Sequence, residues 1–262
     1  MTNESTKQRI NYVLHLADNS LILAQRSSEW CGHGPVLEQD IAITNISLDL
    51  LGQARNLYQY AAQLINQSGQ PSLEKMATED SLAYLRAERE FKNCLLVELP
   101  NGDWGQTTLR QFFFSTYQFY LFNALQRGRD TQLAAIAEKA LKETSYHLRW
   151  SSEWVIRLGD GTPESHQRML NALHELWPYT GEFFEWTGYE KGFWQENNGA
   201  DASLLQQEWM SKVTEIFHDA TLSIPEKVFM QTGGKNGLHT EHMGYILTDL
   251  QYLQRAYPGA QW

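Results

Sequence analysis

The stretch IAITNISLDLLGQA, Ile41–Ala54, carries one charged residue, Asp49, in fourteen positions. Wound as a helix, it sets apolar side chains around nearly its whole circumference, so such a helix needs cover on most sides. That requirement constrains the chain to a packed helical bundle with this element at its centre. Asp49, if enclosed there, must be paired, metal-bound or neutral. The N-terminal stretch repeats the theme, with Asp18 among Leu14, Leu21 and Ile22 at helical spacing.

The rest of the chain supports an all-α fold. Prolines number seven, glycines gather between long periodic stretches, and short β-branched runs of period two are few. The periodicity predicts helices at 6–28, 36–66, 73–98, 106–127, 130–158, 163–187, 202–220 and 239–257. Turn chemistry separates them. CGHGP (31–35) ends one helix and starts the next near Pro35, and SGQPS (68–72) and LPNGDWG (99–105) are turns. GDGTP (159–163) combines a glycine stop, a Thr162 N-cap and Pro163 in the first turn. Short connections make neighbouring helices antiparallel, and no linker or repeat divides residues 1–262, so one domain is expected.

Composition excludes several function classes. A net charge of −10 without a basic stripe disfavours nucleic acid. No run of 18 apolar residues is present, so no membrane span is expected, and the polar MTNESTKQRI start does not read as a secretory signal. Cys31 and Cys94 form no CxxC and read as reduced thiols of a cytoplasmic protein. The 9 Trp, 12 Tyr and 11 Phe fit either an aromatic-rich core or large contacts with a partner.

ALKETSYHLRW (140–150) sets Glu143 and His147 one turn apart, like half of a carboxylate-bridged di-iron site. Such a site takes one Glu from each of two helices and Glu-x-x-His from each of two others. Here the first helix offers Asp18. The second offers Asp49-Leu50-Leu51-Gly52, with glycine at the histidine place. The third (106–127) has no carboxylate, only Gln111 and Gln118, and the fourth has His147 one residue late. Glu90-x-x-Asn93 is a weaker alternative register. Two irons would lack ligands, so Asp18, Asp49, Glu143 and His147 read as vestigial positions in a buried polar network, with Arg26 or Arg55 as candidate partners. No catalytic, cofactor-binding or metal-binding residue is expected.

TGGKNGLHTEHMG (232–244) is neither a phosphate loop nor a zinc motif. Its glycines suit a tight backbone path, with His239 or Thr240 starting the last helix; packing against another subunit is the functional alternative. His33, His166, His174 and His218 have no partner at ligand spacing, and no nucleophile motif is present.

Four stretches (28–62, 96–111, 137–162 and 232–262), the last ending in PGAQW, resemble the C-subunit family of bacterial ring 1,2-phenylacetyl-CoA epoxidases nearly end to end. The resemblance implies a ferritin-like four-helix bundle core with additional helices, in phenylacetate degradation. It implies a non-catalytic structural subunit supporting a catalytic A subunit, which carries the di-iron centre and binds the CoA thioester. A small B subunit and an NADPH-dependent reductase complete the implied assembly. The other class of function consistent with these residues is an oxygenase subunit with an unusual metal site of its own.

Overall fold

The computed structural model describes residues 3–68, 76–197 and 201–260, which contain no strand. The elements are α1 (Asn3–Ser28), α2 (Leu37–Gln67), α3 (Glu79–Tyr84), α4 (Leu95–Glu98), α5 (Trp104–Leu125), α6 (Thr131–Gly159), α7 (Pro163–Leu176), α8 (Gly188–Glu196), α9 (Ala202–Asp219) and α10 (Glu241–Ala256). The fold is all-α, as expected, and its long helix pairs are consistent with a ferritin-like bundle. The turn expected at 68–72 lies outside the described residues apart from Ser68, as do the last two residues of the PGAQW tail.

The chain forms two compact units. One comprises Met1–Pro100, Thr187–Phe193 and Gly233–Trp262, the other Asn101–Trp186 and Trp194–Thr232. In the first unit α1 packs along α2, with α3, α4 and α10 against them. In the second, α5 packs along α6, with α7 and α9 against this pair. The α5 aromatics settle in that unit's core. Phe112, Phe113, Phe114 and Tyr117 are buried with Trp177, Phe183, Trp209 and Phe217. Tyr117 stacks on Phe183 at 4.6 Å, and Trp209 donates its indole N–H to the Phe113 carbonyl at 3.0 Å.

Local signals place several helix starts. Thr162 accepts the Ser165 N–H at 3.2 Å, with Pro163 in the first turn, and Asp103 and Asp130 cap α5 and α6. The periodicity misses helix α8, although TGYE (187–190) holds its signal. Thr187 and Glu190 form a reciprocal capping box, with Thr187 N–H to Glu190 Oε2 at 2.7 Å and Glu190 N–H to Thr187 Oγ1 at 3.4 Å.

Three expectations are corrected. The helix expected over 73–98 is only α3, a 3-10 turn at Glu88–Glu90 and α4. Side chains of α1 capture the intervening backbone: Asp18 takes the Lys92 N–H at 2.8 Å, Asn19 takes the Cys94 N–H at 2.8 Å, and His15 bonds the Lys92 carbonyl at 2.7 Å. These bonds replace a helical ladder. The helix expected to reach 187 stops at Leu176, because Pro178 has no N–H to continue it, and the chain goes on as 3-10 turns. Finally, α2 is not covered all round. Leu37, Ile41, Leu48 and Leu51 fall on one stripe at helical spacing and are exposed, Leu37 by 72% and Leu48 by 60%. Asp49 flanks that stripe and is half-buried rather than enclosed. Asp49→Ala should therefore cost well below the ~3–5 kcal/mol of a stranded buried charge, which a melting curve checks.

Candidate functional site

A dense buried polar cluster lies in the first unit around α1. Asp18 is fully buried and uses both carboxylate oxygens. Arg86 grips it with both terminal nitrogens, Nη1 reaching Oδ2 at 3.1 Å and Nη2 lying on Oδ1. The Tyr58 hydroxyl donates to Oδ1 at 2.6 Å, and the Lys92 N–H donates to Oδ2. Arg86 also donates to the Leu82 and Glu90 carbonyls at 2.6 and 3.0 Å, and its guanidinium lies 4.1 Å from the Phe91 ring centroid. Burial alone would pull Arg86 down, but the charge of Asp18 and its hydrogen bonds outweigh it and hold the guanidinium protonated. Burial, then the Asp18 charge, pushes the Tyr58 phenol well above its usual value, so it stays a donor.

Two further buried ion pairs fasten the 233–240 loop. Lys235 donates to Glu190 at 2.9 Å, both 1% exposed. Burial pushes Glu190 up, and Lys235 and His15 more than reverse it, so its carboxyl lies below the usual value. His15, 3.8 Å from Glu190, is held below 6.5 chiefly by burial. The second pair is His239 Nδ1 on Glu98 Oε2 at 2.8 Å, with His239 Nε2 on the Phe91 carbonyl at 3.1 Å. Two acceptors on two ring nitrogens suit the imidazolium. Glu98 also accepts the Asn93 amide at 2.9 Å and the Thr240 N–H at 2.6 Å, placing a carboxylate at the start of α10.

The glycines of this loop follow from close approach, as the sequence suggests. A Cβ on Gly234 would stand 2.3 Å from the Asn93 carbonyl oxygen. Gly237 is left-handed at φ +79, and a Cβ there would meet the Arg89 carbonyl oxygen at 2.3 Å.

Burial opposes protonation of His239, but its hydrogen bond to Glu98, the Glu98 charge and the Phe91 carbonyl raise it above 6.5. A raised histidine contributes stability that is complete below its unfolded value and fades as pH climbs through the folded one. His239→Gln should thus lose more melting temperature at pH 6 than at pH 9. His15 acts oppositely, losing stability as pH falls below 6.5 toward its lowered folded value, so the comparison must be wild type against His239→Gln at each pH. A loss that does not change with pH would show a neutral His239.

The four ligand-like positions divide between the units: Asp18 and Asp49 in the first, Glu143 and His147 in the second. Asp18 is paired with Arg86, not with Arg26 or Arg55. Arg26 reaches Glu29 and the Glu98 carbonyl, while Arg55 is 71% exposed and 3.8 Å from Glu79. Asp49 is not among the partners of Asp18. Gly52, at the histidine place, faces open space, and a Cβ added there would meet nothing within 4 Å. On α6, His147 is fully buried and Glu143 half-buried one turn before it. On α5, Gln111 and Gln118 are buried and no carboxylate is present. Of the weaker register, Glu90 accepts the Ala87 N–H and Asn93 binds Glu98.

Asp18 does not fit the place of a di-iron ligand. A carboxylate already holding four hydrogen bonds, two from a protonated guanidinium, has no free lone pair for a metal, and its cation repels one. Sequence reasoning reached Asp18 but missed Arg86, Glu98, Glu190 and Lys235. Their partners lie 45 to 141 positions away, apart from any local motif.

Among the described residues no helix is long and apolar enough to cross a membrane. Cys31 is exposed and Cys94 buried, and neither forms a disulfide.

The phenylacetic acid catabolic protein family model matches residues 1–262. The chain is also 47% identical over 251 residues to the C subunit of 1,2-phenylacetyl-CoA epoxidase from Escherichia coli (strain K12), covering 96% of this chain and 98% of that protein. With a match over its full length, the chain belongs to the phenylacetic acid catabolic protein family.

Proposed function

We propose that this chain is the non-catalytic structural subunit of a multicomponent phenylacetyl-CoA epoxidase, acting in the cytoplasm beside a catalytic A subunit and a small B subunit. The observation that carries the non-catalytic part is the Asp18–Arg86–Tyr58 cluster, which fills a ligand-like carboxylate with protein donors. The acid-free α5 and the outward Gly52 support it. The di-iron centre belongs, in this reading, to the A subunit, and this chain holds no cofactor. The two units interleave along the chain without a linker, which supports treating 1–262 as one domain.

A contact role is supported by the α2 stripe. Leu37, Ile41, Leu48 and Leu51 supply an apolar face that this chain leaves open. Monomeric proteins seldom expose such contiguous apolar surface, and obligate interfaces bury it.

The test is reconstitution. The chain alone, expressed in iron-replete cells, should hold well under stoichiometric iron and turn over no phenylacetyl-CoA, yet raise the activity of the A subunit on pairing. Glu143→Gln and His147→Ala should lower turnover of the complex only as far as they weaken folding or assembly. Two equivalents of iron with a carboxylate-bridged spectrum would overturn this assignment. So would loss of turnover in His147→Ala with intact assembly; either result favours a metal site of the chain's own.

A further inference from the structure

The first unit contains a cleft of about 660 Å³ that the structural role does not use. Its lining includes the apolar side chains of Ile10, Leu14, Ile65, Leu82 and Leu85. The lining also includes Lys7, Arg89 and Lys92, with Asn11 and Ser81 as further polar residues. Among the described residues none of the three cations is in an ion pair. Lys7 and Arg89 are exposed, whereas Lys92 is half-buried with its ammonium 5.5 Å from the Tyr189 ring centroid. Among the described residues the lining holds one carboxylate, Glu90, whose Oε2 accepts the Ala87 N–H. Arg86 also borders the cleft, but its guanidinium is engaged by Asp18.

Among the described residues, a chain of net charge −10 gathers three cations without an ion-pair partner beside apolar side chains, an uncommon local field. Burial chiefly holds Lys92 below its usual value; Asp18 and Glu90 oppose this and Arg86 and Lys7 add to it, so a bound anion would favour the charged ammonium. The volume falls in the range of small-molecule sites rather than flat protein contacts.

We propose that this cleft binds an amphipathic organic anion, its phosphate or carboxylate head on Lys7, Arg89 and Lys92 and its apolar body on Ile10, Leu14 and Leu82. The shared chemistry admits two sources, a CoA thioester and a free arylacetate. The choice of the CoA thioester rests on the proposed function, but the cleft itself does not.

Calorimetric titration of the full chain tests this with four probes: phenylacetyl-CoA, CoA, phenylacetate and pyrophosphate. Saturable binding of phenylacetyl-CoA, tighter than that of CoA, identifies the thioester; saturable binding of phenylacetate without CoA binding identifies the free acid. In either case the exposed double reversal Lys7→Glu/Arg89→Glu should weaken binding at least about tenfold, and raising salt should weaken it further. The proposal is overturned if no probe saturates, if the reversal leaves affinity unchanged, or if pyrophosphate binds as tightly as the amphipathic probes. Because binding is read on the isolated chain, a negative result leaves the assembly role standing, and a chain that binds but fails to pair with the catalytic subunit would do the converse.

Discussion

Arg86→Ala is expected to lower the melting temperature by roughly 6–20 °C. Removing one partner of a buried ion pair costs ~3–5 kcal/mol, and each kcal/mol moves the midpoint of a chain of this size by about 2–4 °C. The substitution strands Asp18, which is fully buried, and also frees the Leu82 and Glu90 carbonyls that shape the 82–92 segment. Arg86→Lys should recover only part of the loss. A single ammonium keeps the charge but cannot hold both Asp18 oxygens and two carbonyls at once. An unchanged melt in Arg86→Ala would mean that Asp18 reaches solvent, and the argument against a metal at this position would lose its main support.

The second large effect concerns assembly. In the proposed assembly, Leu37→Asp together with Leu48→Asp should weaken pairing with the catalytic subunit by at least about 100-fold. Burying two unpaired carboxylates in an apolar contact costs several kcal/mol, and each 1.4 kcal/mol is about tenfold. Both leucines are mostly exposed, so the isolated chain should melt within about 0.5 kcal/mol of wild type. That separation makes the measurement clean: co-purification and sedimentation read assembly, while the melt reads folding. Leu204→Asp, on an exposed position of α9, is the control and should leave pairing intact. If the α2 double variant pairs normally, the contact lies elsewhere. The exposed Tyr245 and Tyr252 of α10 would be the next surface to test.

The α2 stripe also shows how a correct pattern can carry a wrong conclusion. The sequence reports apolar residues on nearly all sides of 41–54, and that is what the helix presents. It does not report which neighbours cover them. One side is packed within the chain, through Ile43, Ile46, Leu50 and Leu57, and the other is left open. A helix of this kind reads as central whether its cover comes from its own chain or from another.

Sequence alone determined the helical class, most long helices, the Thr162–Pro163 start and the need for glycine in the 233–237 loop. Each depends on side-chain period, capping or backbone freedom within a few residues, and such terms act locally. The absence of a carboxylate from 106–127 and the glycine at position 52 were also legible, because residue types need no coordinates to count. Only the tertiary structure decided that Asp18 belongs to Arg86, that Glu98 holds His239 and caps α10, and that Glu190 holds Lys235. It also decided that 86–94 abandons the helix its periodicity suggests, since α1 side chains offer its N–H and C=O groups better partners than their own neighbours. The reason is that a buried charge takes whichever opposite charge the packing brings within about 3 Å, and that distance is set by how distant segments fold together rather than by spacing along the chain.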